Sequence, residues 1–150
     1  MNQLLYVRLK WFDDSTLGVE DSRALLELFL SSLGVSSQVA ADILEVLMEA
    51  RAQDVGVTTK EIKRRIIEKR KERGENQAKK GLTERNIQKW LCYFRELNLI
   101  DRFGKRYRFK GNKLPSEAFE EYTLPLIHET THYIKRVLEK VEKKYGIEKL

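Results

Sequence analysis

The chain has 150 residues, 41% of them hydrophobic and 35% charged, enough for one or two small domains around one real core. Its one cysteine, Cys92, excludes an internal disulfide and a multi-cysteine zinc site. No apolar run reaches the length of a membrane helix, and the first residues lack the basic and apolar regions of a signal peptide. A cytoplasmic protein with no membrane partner is therefore expected.

The net charge of +6 is unevenly placed. Residues 60–113 hold 19 Lys and Arg against 7 Asp and Glu, residues 1–59 hold 4 against 9, and residues 114–150 hold 6 against 7. A basic middle between acidic flanks is a footprint of nucleic-acid binding, because each cation laid on a phosphate releases condensed counterions.

In residues 4–12, Leu5, Val7, Leu9 and Trp11 alternate with Tyr6, Arg8 and Lys10, and the pattern predicts a strand that stops at Asp13-Asp14-Ser15. A helix follows from Asp21 to Leu33, with apolar positions at Leu25, Leu26, Leu28, Phe29 and Leu33 and a stop at Gly34. Ser36 or Ser37 caps the next helix, which runs to about Ala52 with Val39, Ile43, Val46 and Leu47 as its stripe. These are core-forming positions. The strand and helix of residues 1–34 are expected as an N-terminal segment, followed by a binding domain over 35–113.

Thr58-Thr59-Lys60-Glu61 contains a capping box, in which the hydroxyl of Thr58 and the carboxylate of Glu61 each satisfy a free amide at a helix start. Ile62 and Ile66 point inward, while Lys63, Arg64, Arg65, Lys69, Arg70 and Lys71 are expected on the surface. Residues 68–81 carry no large apolar side chain and should face solvent or a partner, with Gly74 ending the helix. Thr83 caps a further helix to Leu97, and Leu82 and Ile87 form a hydrophobic staple across its start. Ile87, Trp90, Leu91, Phe94 and Leu97 gather on its inner arc. Arg85, Lys89, Cys92 and Glu96 lie opposite with Gln88 beside them, and Asn86 and Tyr93 stand at the boundary. Arg can fork onto guanine, and Asn or Gln onto adenine. Asn98 is expected as a left-handed stop, and Phe103-Gly104-Lys105-Arg106 as a tight turn between two basic strands.

Residues 57–113 resemble the winged helix-turn-helix domains of archaeal and bacterial transcriptional regulators. The resemblance rests on Thr58-Thr59-Lys60-Glu61-Ile62, on Thr83, and on Leu97-Asn98-Leu99-Ile100 before the hairpin. It covers about a third of the chain. The departure is a connection lengthened by about ten residues, 69–80. The resemblance implies a mainly α fold with a small β-wing. Helix 84–97 would lie in the major groove of double-stranded DNA, and wing 101–110 on the backbone or minor groove. The DNA-contacting set expected on this reading is Arg85, Asn86, Gln88, Lys89, Tyr93, Lys60, Arg64, Lys79, Lys80, Arg102, Lys105, Arg106 and Arg108.

His128-Glu129-Thr130-Thr131-His132 matches the zinc-protease pattern of two His one helical turn apart with a Glu between. A third ligand is missing: Lys135 and Leu138 stand where a Gly and a His would follow, and Glu139 and Glu142 project from the wrong turns. From Pro125 to Tyr145 the chain reads instead as one helix whose stripe is Ile127, Thr131, Ile134, Leu138, Val141 and Tyr145. Within residues 114–150 this is the expected dimer element, pairing with its own copy. The expectation is a homodimeric transcription regulator on specific duplex DNA, with the basal transcription machinery as a further candidate partner and with no catalytic residue, metal or cofactor. A structured-RNA binder using the same basic surface, and a zinc peptidase using His128, Glu129 and His132, are the alternatives. No segment reads as a ligand-sensing domain.

Overall fold

The computed structural model describes residues 6–149. Among the described residues six α-helices and one hairpin follow in chain order: α1 (Ser22–Ser32), α2 (Gln38–Ala52), α3 (Thr59–Glu72), α4 (Glu84–Glu96), β1 (Ile100–Phe103), β2 (Arg106–Phe109), α5 (Pro115–Ala118) and α6 (Leu124–Lys144). The protein is mainly helical with a small two-stranded antiparallel sheet.

α1, α2, α3 and α4 each start where a short polar side chain caps them. Asp21, Ser37, Thr58 and Thr83 accept from the amides of Ala24, Ala40, Glu61 and Asn86. α2 is the centre of the core. Val39, Ala40, Ala41, Ile43, Leu44, Val46 and Leu47 are all buried, and α1, α3, α4 and β2 pack around them. Leu30 and Leu33 from α1 and its end join this core, as do Ile62, Ile66, Ile87, Leu91, Phe94, Tyr107, Phe109 and Ala118.

The strand expected over residues 4–12 does not form. Leu4 and Leu5 lie outside the described residues, and from Tyr6 to Phe12 the chain has no assigned strand. Arg8 and Lys10 donate to the carbonyls of Leu33 and Ser32, but among the described residues no second strand lies alongside, so the alternation has no sheet to serve. Leu9 and Trp11, expected inward, are exposed. Gly34 is essential to this docking: its φ is 82°, and a Cβ there would come within 2.7 Å of the Cβ of Arg8. α1 is also less covered than its apolar pattern suggests. Leu25 is exposed, and Leu26, Leu28 and Phe29 are half-buried.

The C-terminal helix begins ten residues earlier than its apolar stripe predicts. α5, a π turn over Phe119–Thr123 and α6 form one continuous helical run. Pro125 therefore sits inside a helix and not at its start. It has no N–H for the carbonyl of Glu121, and its ring crowds that carbonyl. The wider π turn, closed by the amide of Leu124 onto the carbonyl of Phe119, accommodates it. From His128 through Lys149 every residue is exposed, so α6 stands free of the body. Among the described residues no helix is long and apolar enough to cross a membrane.

Candidate nucleic-acid interface

The first part of the site is the start of α3. The amide of Glu61 donates to the Thr58 hydroxyl at 3.2 Å, and the amide of Thr58 donates to the Glu61 carboxylate at 3.3 Å. This is the capping box read from the sequence. Just before it, Val57 exchanges two backbone hydrogen bonds with Tyr107, 3.1 and 2.8 Å long, so a third short strand segment flanks β2. Nothing in the sequence marks that pairing beyond one buried valine. Lys60 and Arg64 then lie exposed on the outer side of α3, and Arg64 pairs with Glu68 one turn on.

α4 enters through its staple, with Leu82 and Ile87 both buried. Arg85, Gln88 and Lys89 are exposed, and the Lys89 ammonium lies 5.0 Å from the centre of the Trp90 ring. Gln88 joins three elements. Its amide nitrogen donates to the Thr59 hydroxyl at 3.2 Å, and its carbonyl accepts from the Tyr107 hydroxyl at 3.5 Å. The start of α3, the middle of α4 and β2 are thus held side by side, with Arg85 and Lys89 flanking the junction along α4.

Two residues of the expected contact set are occupied differently. Asn86 donates its side-chain amide to the carbonyl of Gly81, closing the loop before α4. Tyr93 turns away from α3 towards Gly34, Val35 and Ser36. Its hydroxyl is buried with no hydrogen-bond partner, its ring packs edge-on against Trp90 and Phe94, and burial raises its pKa. A buried phenol cannot reach a phosphate or a base edge, so Tyr93 leaves the candidate set.

In the hairpin, Ile100 pairs with Phe109, Asp101 with Arg108, Arg102 with Tyr107 and Phe103 with Arg106. Only Gly104 of the two turn residues has positive φ, 64°, as a type II′ turn requires. Ile100, Tyr107 and Phe109 face the core. Arg108 pairs with Asp101 at 3.0 Å and lies over the ring of Phe103. Arg106 bonds the carbonyl of Gly56 and the carboxylate of Glu61, tying the hairpin to the cap of α3. Arg102 donates to the carbonyl of Gly104. Lys105 at the tip has no carboxylate partner among the described residues; the same holds for Lys60, Lys79, Lys80, Arg85, Lys89 and Arg102.

The α3–α4 connection corrects another expectation. Arg70 is not on the surface. It is 5% exposed and donates to Asp42 of α2 and to the carbonyls of Ala78 and Lys80. Lys69 pairs with Glu45 and Glu49, and Arg73 with Glu45. Part of the basic charge counted in the middle of the chain is therefore spent on acidic groups of α2. Lys79 and Lys80 remain exposed on the loop that Arg70 holds.

His128, Glu129 and His132 lie exposed on α6, and among the described residues no group of three His, Cys, Asp or Glu side chains forms a metal-sized cluster. The hydroxyls of Thr130 and Thr131 bond back to the carbonyls of Leu126 and His128. No protein-family model matches the chain, and comparison with curated proteins and with solved structures finds no match.

Proposed function

We propose that this chain is a sequence-specific duplex-DNA-binding regulator of the winged helix-turn-helix type, acting as a homodimer through α6. The observation that carries the reading is the Gln88 junction. It sets the outer face of α4, with Arg85 and Lys89, beside the exposed Lys60 of α3 and the hairpin whose tip is Lys105. A capped helix presenting free cations next to a basic hairpin suits a major groove and its bordering phosphates. The order of α2, the Val57 bridge, α3, α4 and hairpin supports a winged-helix reading, in which β1 and β2 would be the wing. The long connection before α4 fits the same reading, because Arg70 anchors it to α2 and Lys79 and Lys80 stay exposed towards the α4 N-terminus.

Selection of bound duplexes from a random pool tests this. A two-fold symmetric motif is expected, competed poorly by duplex RNA of equal length. Log affinity should fall with log salt by about one unit of slope per phosphate contacted. Preferential binding of RNA would move the same surface to structured RNA, and a salt-independent affinity would defeat the electrostatic argument.

A further inference from the structure

Among the described residues two apolar surfaces lack a partner, and they meet at one place. The first is the stripe of α6. Ile127, Thr131, Ile134, Leu138, Val141 and Tyr145 follow at alternating spacings of four and three, the seam repeat of a two-stranded coiled coil. Ile134, Leu138 and Tyr145 are 58%, 59% and 79% exposed. The second is a groove of about 720 Å³ walled by Leu25, Leu26 and Phe29 of α1, Met48 of α2, Phe109 of β2 and Phe119. Pro115 and Phe119 on its rim belong to the helical run that continues into α6, so the groove lies at the root of that helix.

Charge is sorted along the same run. Residues 114–134 contain Glu117, Glu120, Glu121 and Glu129 and no Lys or Arg. Residues 135–149 contain Lys135, Arg136, Lys140, Lys143, Lys144 and Lys149 against Glu139, Glu142 and Glu148. Glu121 is paired with Lys113, but Glu117, Glu120 and Glu129 have no cationic partner among the described residues, and neither has any tip cation a carboxylate partner. A parallel pair of such helices sets acid on acid and base on base. An antiparallel pair lays each basic tip along the other copy's acidic root.

We propose that the dimer is antiparallel and reciprocal. This rests on the reading of α6 as the dimer element and specifies what that element binds. The outer end of α6, with Leu138, Val141, Tyr145 and Ile147, runs along the root of the second copy's α6 and into its groove between α1 and Phe119. The run from Phe119 to Tyr145 is about 40 Å long at 1.5 Å per residue, so tip and root overlap over the same stretch in both copies. The contact is its own mate under a two-fold axis, and it closes after two chains.

Sedimentation of the full chain and two surface variants tests the groove. Ile134→Glu with Leu138→Glu should give a folded monomer. Leu25→Glu with Ser116→Glu changes two exposed residues on the groove walls and should weaken dimerisation roughly tenfold or more, with unchanged circular dichroism. Orientation is read by mixing a Glu117→Cys protein with a Lys144→Cys protein, both in a Cys92→Ser background, under mild oxidation. The mixed 117–144 disulfide is the expected product. A dominant 144–144 disulfide, or a groove variant that dimerises like wild type while the stripe variant is monomeric, overturns this inference and leaves the dimer reading standing. A monomeric wild type removes both.

Discussion

Arg70 places two nitrogens on one oxygen of Asp42, at 2.6 and 3.1 Å, while the other oxygen of Asp42 takes the guanidinium of Arg23 at 2.7 Å. Both Asp42 and Arg70 are 5% exposed. The third nitrogen of Arg70 reaches the carbonyls of Ala78 and Lys80, so one buried carboxylate on α2 holds α1, α3 and the loop that delivers α4. Replacing Arg70 by Leu leaves that carboxylate short of its main partner. A loss of about 3–5 kcal/mol is expected, with early proteolysis between Gly74 and Gly81. Urea unfolding of Arg70→Leu and of the double variant Asp42→Leu with Arg70→Leu checks it, because removing both charges should recover part of the loss. A single-variant loss below about 1 kcal/mol would contradict the assignment.

Tyr93 carries the opposite lesson. Its hydroxyl is buried without a partner, and burial pushes its ionisation above the ordinary range. Tyr93→Phe should hold or raise stability, because no hydrogen bond is lost and a buried unpaired hydroxyl is removed. The raised value means the folded state keeps its proton when the unfolded state has lost it. This contribution to stability is intact below the unfolded value near 10 and is lost as pH rises above it. The phenylalanine variant should show a shallower alkaline decline, and its DNA affinity should match wild type. A large loss of DNA affinity would return Tyr93 to the interface.

Arg85, Lys105 and Gln88 are predicted to differ in what they change. Arg85→Ala should reorder the ranking of bound sequences, at a cost of roughly 1–3 kcal/mol on a preferred site. Lys105→Ala should weaken every sequence alike and lower the salt slope by about one. Gln88→Ala breaks the link to Thr59 and Tyr107. It should therefore cost about 1 kcal/mol of folding stability and reduce affinity uniformly. Titrations on a small panel of sites, paired with melting curves, separate the three. A Gln88 variant of normal stability with altered base preference would make Gln88 a direct reader.

The two histidines of α6 are predicted to be dispensable for binding. His128→Ala with His132→Ala should keep the dimer and its DNA affinity, and added zinc should leave the wild-type melting temperature where it was. A zinc-dependent rise in melting temperature, lost in the double variant, would reopen a metal role.

The starts and stops of α1 to α4 were legible from the residues alone, because they are decided within one turn of chain; the start of the C-terminal run, ten residues before its stripe, was not. Asp21, Ser37, Thr58 and Thr83 each cap an amide three positions on, and Gly34, Gly74, Asn98 and Gly104 supply the positive φ that ends a helix or turns a hairpin. The inner faces of α2 and α4 were legible for a similar reason, since helical spacing is a local property. What needed the tertiary structure was every outcome that depends on a partner far along the chain. The alternation of Val7, Leu9 and Trp11 looked like a strand, but a strand forms only against a neighbour, and none is there among the described residues. Arg70 looked like one cation among many until Asp42, 28 positions earlier, took it into the core. Gln88 reads from the sequence as a candidate base contact, and only the fold shows that Thr59 and Tyr107 engage both ends of its amide. Nor could the stripe of α6 say that nothing among the described residues covers it. That is a property of the tertiary structure, in which every residue from His128 through Lys149 is exposed.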